Sequence, residues 1–565
     1  MKNKRILIAN RGEIALRIIR SAKELGLTTV AVYSDIDKES LHVKKADESI
    51  HLGPSLPAES YRNLKRLVQA AVDSKSDLVH PGYGFLAENA DFAKAIQRKK
   101  ITWIGPSPKT IRSMGDKIES RKLVSKIGLQ PIPGQLKPAR NRRDAMRDAR
   151  EQGFPVALKA AHGGGGKGLR IVHNPDELLE NYDIVKRESE AYFGSDDIYV
   201  EKFIKNAKHV ETQILSDQHG NHVFLGERDC STQRRNQKLI EESPAYWISD
   251  EGREELKKQT LKIVEESEYI NAGTVEFLAD EEENFYFLEM NTRLQVEHTV
   301  TEMRYGIDIV KEQIKIAMGH SLADKEWTPR GHSIEFRINA EDASKNFIPV
   351  PGTITEYREP IGTGVRVDGW ARSGTHISHF YDNLIAKLVV WGNNRKEAIE
   401  VGQRCLNEYV VLGIPTTIDA LLQIISSDAF SEGKVHVKFV EENLDLFINN
   451  ELKEEIETSK SETVKISLDD TPSENLPPKM PKRIGIDLSK DDSPGTIVAE
   501  MQGTIVDIMT KEGKKVKKGE SLFVIEAMKM ENIVSSPIDG VVKELSITKG
   551  SPVSKGDIIL IIEKR

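Results

Sequence analysis

Short apolar runs alternate with amphipathic, helix-length segments through the first hundred residues. Residues 6–9, 29–33, 77–80 and 101–104 have strand character, and Ile14, Ile18 and Ile19 lie on one side of the helix that follows the first run. Strands joined by helical crossovers imply a parallel sheet, so residues 1–115 are expected to form an open α/β domain. The turns after the first and third of these runs, Asn10-Arg11-Gly12-Glu13 and Pro81-Gly82-Tyr83-Gly84, are polar and contain glycine. Neither carries the GxGxxG spacing of a dinucleotide site. From 116 to 330 the pattern is mixed, with strands expected at 155–159, 198–202, 274–278 and 285–291. A third region, 331–447, opens on an alternating strand at 333–339. The chain is therefore expected to combine α/β and α+β domains.

The pattern then changes twice. Between Phe447 and Phe523 there is no aromatic residue, and 448–493 is rich in Glu, Lys, Ser, Asp and Pro. Such a segment cannot bury enough apolar surface to offset its ordering entropy, so it reads as a flexible linker with an r.m.s. span of roughly 35–40 Å. It is either a tether between two sites or a passive spacer. Residues 494–565 contain a repeat: Gly513-x-x-Val516-x-x-Gly519 recurs 37 residues later as Gly550-x-x-Val553-x-x-Gly556, and Gly503 recurs as Gly540. Two strand units, each too small to bury its own face, imply a flattened β-barrel with near two-fold symmetry. Between the copies lies Glu526-Ala527-Met528-Lys529-Met530-Glu531, which places Lys529 at an exposed hairpin tip.

Composition narrows the function classes. A chain of 565 residues suggests three to five domains. The 81 basic and 88 acidic side chains are dispersed, and the net charge is −7, which disfavours a nucleic-acid partner. Cys230 and Cys405 stand alone with no metal spacing, which suits a reducing compartment. Neither a signal peptide nor a run of about 20 apolar residues is evident, so no membrane is expected and the cytoplasm is the expected location.

Two segments carry candidate chemistry. Ala161-His162-Gly163-Gly164-Gly165-Gly166-Lys167-Gly168 follows a strand but fails the P-loop pattern at its first and last positions. Its glycines still allow backbone amides to approach phosphate oxygens, as in a lid that closes on nucleotide. Lys117 and Lys159 could neutralise phosphate charge. In 285–297, Glu289, Asn291, Arg293, Gln295 and Glu297 share one parity, so an extended chain would project all five from one face. Glu276, in the apolar run 274–278 across an acidic turn, is expected opposite Glu289 and Asn291. Two carboxylates and an amide oxygen suit Mg²⁺, Arg293 offers a fork for an oxyanion, and Glu297 is a candidate general base.

Residues 1–447 resemble biotin carboxylase, an ATP-grasp enzyme. The resemblance rests on Ile-Ala-Asn-Arg-Gly-Glu-Ile-Ala at 8–15, His-Pro-Gly-Tyr-Gly-Phe-Leu-Ala-Glu-Asn at 80–89, the glycine lid, Glu-Met-Asn-Thr-Arg-Leu-Gln-Val-Glu-His at 289–298 and Arg-Ile-Asn-Ala-Glu-Asp at 337–342. The Ala-Met-Lys-Met motif resembles the biotin acceptor of biotinyl domains; related lipoyl domains usually have Asp before the lysine. The resemblance implies an ATP-grasp domain over 116–330 with a lid at about 131–204, and a biotin carboxylase C-terminal domain over 331–447. It further implies that Lys117, Lys159 and Gly164, Gly165 and Gly166 of the lid bind ATP phosphates. Glu201, Lys202 and Ile204 would line the adenine site, and His209, Gln233 and Asn236 would approach the ribose. Asn236 stands where many relatives have His. Glu276, Glu289 and Asn291 would hold Mg²⁺ or Mn²⁺, and Lys238, Arg293, Gln295 and Val296 would bind bicarbonate. Glu297 would be the base, and Arg337 would stabilise the biotin enolate. Biotin on Lys529 would then be carboxylated through carboxyphosphate.

The implied role is the α subunit of an acetyl- or propionyl-CoA carboxylase, modified by a biotin protein ligase and paired with a carboxyltransferase β subunit. The carboxylase part would be a homodimer within a larger hetero-oligomer. The 46 residues of 448–493 leave no room for the docking domain that several family members insert there. The alternatives are a component of a split pyruvate or 2-oxoacid carboxylase, a non-catalytic biotin carrier, and a lipoyl carrier.

Overall fold

The computed structural model describes residues 3–134, 137–160, 169–193, 197–444, 495–499, 503–527, 530–553 and 556–563. The linker expected at 448–493, the lid glycines and Lys529 lie outside the described residues. The chain divides into two compact units, one formed by Met1–Asn339, Ile354–Thr375 and Leu384–Leu444, the other by Ala340–Thr353, His376–Asn383 and Asp445–Arg565.

The first unit opens with five parallel strands, β1 (Arg5–Ile8), β2 (Thr28–Ser34), β3 (Glu48–Gly53), β4 (Leu78–His80) and β5 (Thr102–Trp103), in the order β3-β2-β1-β4-β5. β3 escapes the hydrophobic pattern because it is an edge strand of sequence Glu-Ser-Ile-His-Leu-Gly, and only Leu52 in it is buried. The two polar turns meet at one end of the sheet, where the Asn10 amide donates to the Pro81 and Tyr83 carbonyls at 2.7 Å each. Gly82 adopts φ +64° there, and an added Cβ would lie 3.0 Å from both Asn10 and Ile14.

A smaller antiparallel sheet follows: β6 (Val156–Ala160), β7 (Leu169–Val172) and β8 (Ile198–Lys202), in the order β7-β6-β8. Helices Arg142–Gln152 and Pro175–Phe193 cover it, burying Ala145, Val156, Leu158, Val172, Leu178, Tyr182 and Val200 in a core of its own.

The frame of the unit is an antiparallel sheet of eight strands. It contains β9 (Lys208–Ser216), β10 (His222–Arg234), β11 (Gln237–Ser243), β12 (Asn271–Ala279), β13 (Phe285–Asn291), β14 (His332–Asn339) and strands Val365–Gly369 and Leu384–Gly392. The order is β13-β12-β9-β10-β11-β14, then Leu384–Gly392 and Val365–Gly369. The sheet is therefore continuous across residue 330. Successive side chains alternate between its faces. Val210, Ile214, Val275, Phe277 and Phe287 pack with Leu256, Ile263 and Val264 of helix Asp250–Glu266, which directs Glu211 and Glu276 to the opposite face.

In the second unit the 37-residue repeat maps strand onto strand. Gly503–Ile508 corresponds to Gly540–Leu545, and Lys515–Val516 to Pro552–Val553. Each member of a pair lies in the opposite one of two four-stranded sheets. Gly513, Gly519, Gly550 and Gly556 all have φ between +80° and +94°, the left-handed turn conformation that glycine adopts at no steric cost. Ile505, Phe523, Ile525, Val542, Leu560 and Ile562 fill the space between the sheets. The flattened barrel is thus present. Both cysteines are free and buried, and no helix among the described residues is long and apolar enough to cross a membrane.

A buried ion cluster fastens the eight-stranded sheet to helix Arg395–Glu408. Glu242 on β11 accepts from His332 on β14 at 2.7 Å and from Arg395 at 2.7 and 3.1 Å. Burial would raise this carboxyl, but His332 and Arg395 lower it from the ordinary 4.5 to about 2. A depressed folded-state pKa adds stability that is present above pH 4.5 and is lost as pH falls through 2. The shift is worth on the order of 3 kcal/mol. Glu242→Gln should therefore destabilise the carboxylase part at neutral pH by about 3–5 kcal/mol, since it leaves Arg395 buried without its partner. Its stability measured between pH 4.5 and 2 should also fall less steeply than that of the parent.

Candidate active site

The polar face of the eight-stranded sheet carries a row of ionisable side chains set by strand register. Glu289 pairs with Glu276, Glu276 with Glu211, and Glu211 with Arg228. Beyond a register shift in the β10–β11 pairing, Gln233 pairs with Lys238, Glu241 with Glu335, Arg337 with Lys387, and Lys387 with Asp368. Irregular pairing of this kind re-aims side chains, and here it falls next to Lys238.

Lys238 is the centre of the row. Its ammonium lies 2.5 Å from Glu297 Oε1, 2.7 Å from Glu211 Oε2 and 3.2 Å from Glu276 Oε1. Burial would lower it, but Glu211, Glu276 and Glu297 together hold it well above the ordinary lysine value. Glu297 also accepts from Arg337 Nη2 at 2.9 Å. Burial would raise the Glu297 carboxyl, yet Lys238, Arg337 and Arg228 hold it well below the usual range, so it is an anion. Behind these, the fully buried Arg228 donates to Glu211 at 2.5 Å, Gln213 at 2.8 Å, Thr301 at 3.0 Å and Thr274 at 3.1 Å.

The reading of 289–297 as one extended face requires correction. β13 ends at Asn291, and residues 292–297 turn back into helix His298–Tyr305, whose N-cap position is Glu297 with φ −81° and ψ 13°. Only Glu289 and Asn291 share the strand face. The others are delivered by the turn: Arg293 donates to Asn291 Oδ1 at 2.9 Å and to Gln295 Oε1 at 2.8 Å, and Gln295 donates to Glu276 Oε1 at 2.8 Å. The Val296 carbonyl accepts from Lys387 Nζ at 2.8 Å. The chain leaves the sheet here because the backbone amides of Thr292 and His298 find Glu88 Oε1 and the Gln295 carbonyl instead of a neighbouring strand.

Glu276 and Glu289 face one another across the β12–β13 hairpin, and the Asn291 amide donates to Glu276 at 2.8 Å. Burial and the Glu276 charge raise the Glu289 carboxyl, and Lys117 opposes them. His209 Nε2 lies 3.0 Å from Glu276 Oε2, with Gln233 3.4 Å from His209 Nδ1. Lys159 on the small sheet and Arg121 on helix Lys117–Lys126 each lie 2.5 Å from Glu201 on β8. Burial would raise Glu201, but these two cations bring it down to about 2. Lys202 donates to the Gln152 and Gly153 carbonyls at 3.0 and 3.3 Å, and Ile204 is half-buried beside it. Asn236 occupies an exposed two-residue turn with Arg235, at φ +62° and +48°; such hairpin turns favour Asn, which accounts for this residue type there.

Several contributors had escaped the sequence reading. Arg121 is four residues from Lys117 on helix Lys117–Lys126, a spacing that places both on one side. Lys387 stands in the apolar strand Leu384–Gly392, the same signal that singled out Glu276. Glu88, 2.9 Å from Arg293, and Glu241, Glu335, Glu211 and Arg228 carried no pattern that marked them.

Family models agree with this geometry. Residues 2–111 match the biotin carboxylase N-terminal domain, 116–325 the carbamoyl-phosphate synthase L chain ATP-binding domain, 335–442 the biotin carboxylase C-terminal domain, and 492–562 a domain described as a biotin-requiring enzyme. The chain belongs to the biotin carboxylase family. It is 40% identical to a biotin-dependent acyl-coenzyme A carboxylase alpha3 subunit of Mycobacterium leprae, over 99% of this chain and 98% of that protein. One of the pyruvate carboxylase subunits of Methanothermobacter thermautotrophicus is 45% identical over 78% of this chain and 89% of its own. The crystal structure of the biotin carboxylase domain dimer of Hydrogenobacter thermophilus 2-oxoglutarate carboxylase, with MgADP, ADP and bicarbonate, aligns with a TM-score of 0.75. That alignment has 46% identity and covers 79% of this chain and 99% of that one. The protein is thus a biotin carboxylase of the ATP-grasp type that carries its own biotinyl domain.

The charge row predicts a stability effect at a residue remote from any exposed surface. Arg228→Met should lower the unfolding free energy of this biotin carboxylase's catalytic part by about 3–5 kcal/mol in a urea titration, because Glu211 loses its buried counter-ion. An unchanged midpoint would show that Lys238 alone neutralises Glu211.

Proposed function

We propose that the chain uses ATP and bicarbonate to carboxylate biotin held on Lys529, and supplies it to a separate carboxyltransferase that acts on an acyl-CoA. The similarity to the alpha3 subunit carries the choice of acceptor: it runs through the biotinyl domain at full length, whereas the pyruvate carboxylase relative matches over 78% of this chain. The 2-oxoacid carboxylases support the second reading, a split carboxylase of a 2-oxoacid. A homodimer of the carboxylase part, a biotin protein ligase as modifying partner and a cytoplasmic location belong to the same proposal.

The residues divide the work by charge. Lys117 and Lys159, with the lid glycines Gly164, Gly165 and Gly166, are assigned to the ATP phosphates, and Glu201, Lys202 and Ile204 to the adenine. His209 and Gln233 go to the ribose side; exposed Asn236 would contribute least. Glu276, Glu289 and Asn291 fit a hard divalent cation, since two facing carboxylates and an amide oxygen form an oxygen-rich set whose mutual repulsion a cation relieves. Mg²⁺ or Mn²⁺ held there would neutralise phosphate oxygens during transfer.

Lys238, Arg293, Gln295 and the Val296 backbone are assigned to bicarbonate. Glu297, an anion between Lys238 and Arg337, takes the bicarbonate proton as the oxygen attacks the γ-phosphate, giving carboxyphosphate and ADP. As an arriving anion shares the Lys238 charge, Glu297 loses part of the interaction that depresses its basicity, so substrate binding strengthens the base. Carboxyphosphate then yields CO2 and phosphate; the phosphate takes the ureido proton of biotin, the ureido nitrogen attacks CO2 to give carboxybiotin, and Arg337 would balance the negative charge on the ureido oxygen. On the second unit, β-pairing runs as far as Ala527 opposite Met530, so only Met528 and Lys529 separate the two strands. A loop that short suits presentation of one lysine to a ligase.

Two measurements test the proposal. Glu297→Gln should lower bicarbonate-dependent ADP release by about 10²–10⁴-fold while leaving nucleotide affinity within a few-fold; equal loss of nucleotide affinity would count against the base assignment. Capture of the native protein on reversible avidin should retain it together with an acyl-CoA carboxyltransferase. Co-purification of a 2-oxoacid carboxyltransferase would instead establish the second reading.

A further inference from the structure

Glu241 and Glu335 are directly paired across β11 and β14, so their side chains share the face that carries Lys238 and Arg337. Both are completely buried. Like charges placed directly opposite are destabilising, and none of the site roles assigned above requires either residue. Glu241 accepts from Arg337 Nε at 2.6 Å, and Arg337 simultaneously contacts Glu297 at 2.9 Å. Glu335 accepts from the Thr299 hydroxyl in the helix that begins at Glu297. Among the described residues, Glu241 Oε2 and Glu335 Oε1 have no hydrogen-bond partner although both atoms are buried. A buried carboxylate oxygen without a partner costs roughly 1–3 kcal/mol, and a proton on one of the two carboxyls removes both part of that cost and the like-charge repulsion across the pair.

We propose that Glu241 is the positioning residue for Arg337, and that Glu335 carries the proton that lets Glu241 remain charged beside it. The charged groups around the pair agree. Arg337, Lys238 and Glu297 act on Glu241, while Lys387, Glu241 and Arg337 act on Glu335. Burial raises both carboxyls, with Arg337 opposing at Glu241 and Lys387 opposing at Glu335, and the net direction for each is upward. With the proton on Glu335, Glu241 accepts from Arg337 as an anion, which fixes the guanidinium by two strong bonds, one to Glu241 and one to Glu297. The inference rests on the reading that Arg337 serves the biotin carboxylation step, and it adds the residue that holds Arg337 in place for it.

The test uses the full biotinylated chain and measures two rates side by side: ADP release with bicarbonate, and label from bicarbonate fixed on the protein. Glu241→Gln should lower fixed label per ADP released by about tenfold, a change in the ratio that general destabilisation would not produce. Glu241→Asp should recover part of the ratio. Glu335→Gln, a neutral stand-in for the protonated acid, should keep both rates within about twofold at neutral pH and remove one protonated-carboxyl band from the infrared spectrum. The proposal is overturned if Glu241→Gln leaves the ratio unchanged, or if Glu335→Gln removes no such band. Arg337→Lys separates the two levels: if it too leaves the ratio unchanged, the role of Arg337 is wrong, whereas a fall there without one in Glu241→Gln rejects only the clamp.

Discussion

The structure depends on one constraint: charges taken out of water must be paired, and here they are paired along a line that crosses eight strands. Removing a carboxylate or ammonium from water costs several kcal/mol per ion. The sheet answers by register, setting Arg228 opposite Glu211 and Lys387 opposite Asp368, and bringing Lys238 within reach of Glu211, Glu276 and Glu297 and Arg337 within reach of Glu241 and Glu297. No short segment contains this row. It exists only when β9 to β14 and strand Leu384–Gly392 are hydrogen-bonded in their observed order, so the chemistry is a property of the whole sheet. The apolar face makes the arrangement tolerable, because Val210, Ile214, Val275 and Phe277 pack against helix Asp250–Glu266 and leave the polar face for the site.

The same constraint explains how Glu297, the proposed base, is held. Glu297 belongs to no strand; it sits where a turn enters a helix, and it reaches the row only because Lys238 and Arg337 bind its two oxygens from β11 and β14. Lys387 secures the turn by its backbone, taking the Val296 carbonyl, and is itself 3.1 Å from Glu13 near the start of the chain. Glu13 lies in the first turn of helix Gly12–Glu24, which follows β1, so the parallel-sheet domain and the eight-stranded sheet meet through a buried lysine. A fixed array of this kind can stabilise charge as it develops without rearranging, which is the main source of electrostatic catalysis.

Much of this was legible in the sequence, for reasons that differ by region. Period-2 alternation exposed the β12–β13 hairpin and the facing pair Glu276 and Glu289, because a half-polar strand records its own faces. The 37-residue repeat gave the biotinyl barrel, since each glycine turn recurs at the same offset. The edge strand Glu48–Gly53 stayed hidden because only one of its residues is buried. The turn after Asn291 stayed hidden because its residues continue the parity of the strand by coincidence, and parity carries no information about where hydrogen bonding stops. Glu241 and Glu335 were invisible for a deeper reason: each is one acidic residue in an ordinary strand, and their significance is the pairing of two strands about ninety residues apart.

A site whose charges neutralise one another also imposes a sequence of events. Lys238 serves three carboxylates at once, so on the proposed assignment an entering bicarbonate competes with Glu211, Glu276 and Glu297 for a cation already in position. The exchange of one anion for another keeps the local charge nearly constant, so binding does not require a bare ammonium to be exposed beforehand. On the proposed roles it also ties base strength to occupancy: Lys238 and Arg337 hold Glu297 well below the usual carboxylate range, and an anion that shares the Lys238 charge relieves part of that effect. On those roles, proton removal is favoured when bicarbonate is in place. The carboxylates that keep the resting site neutral are thereby also what makes its activity conditional.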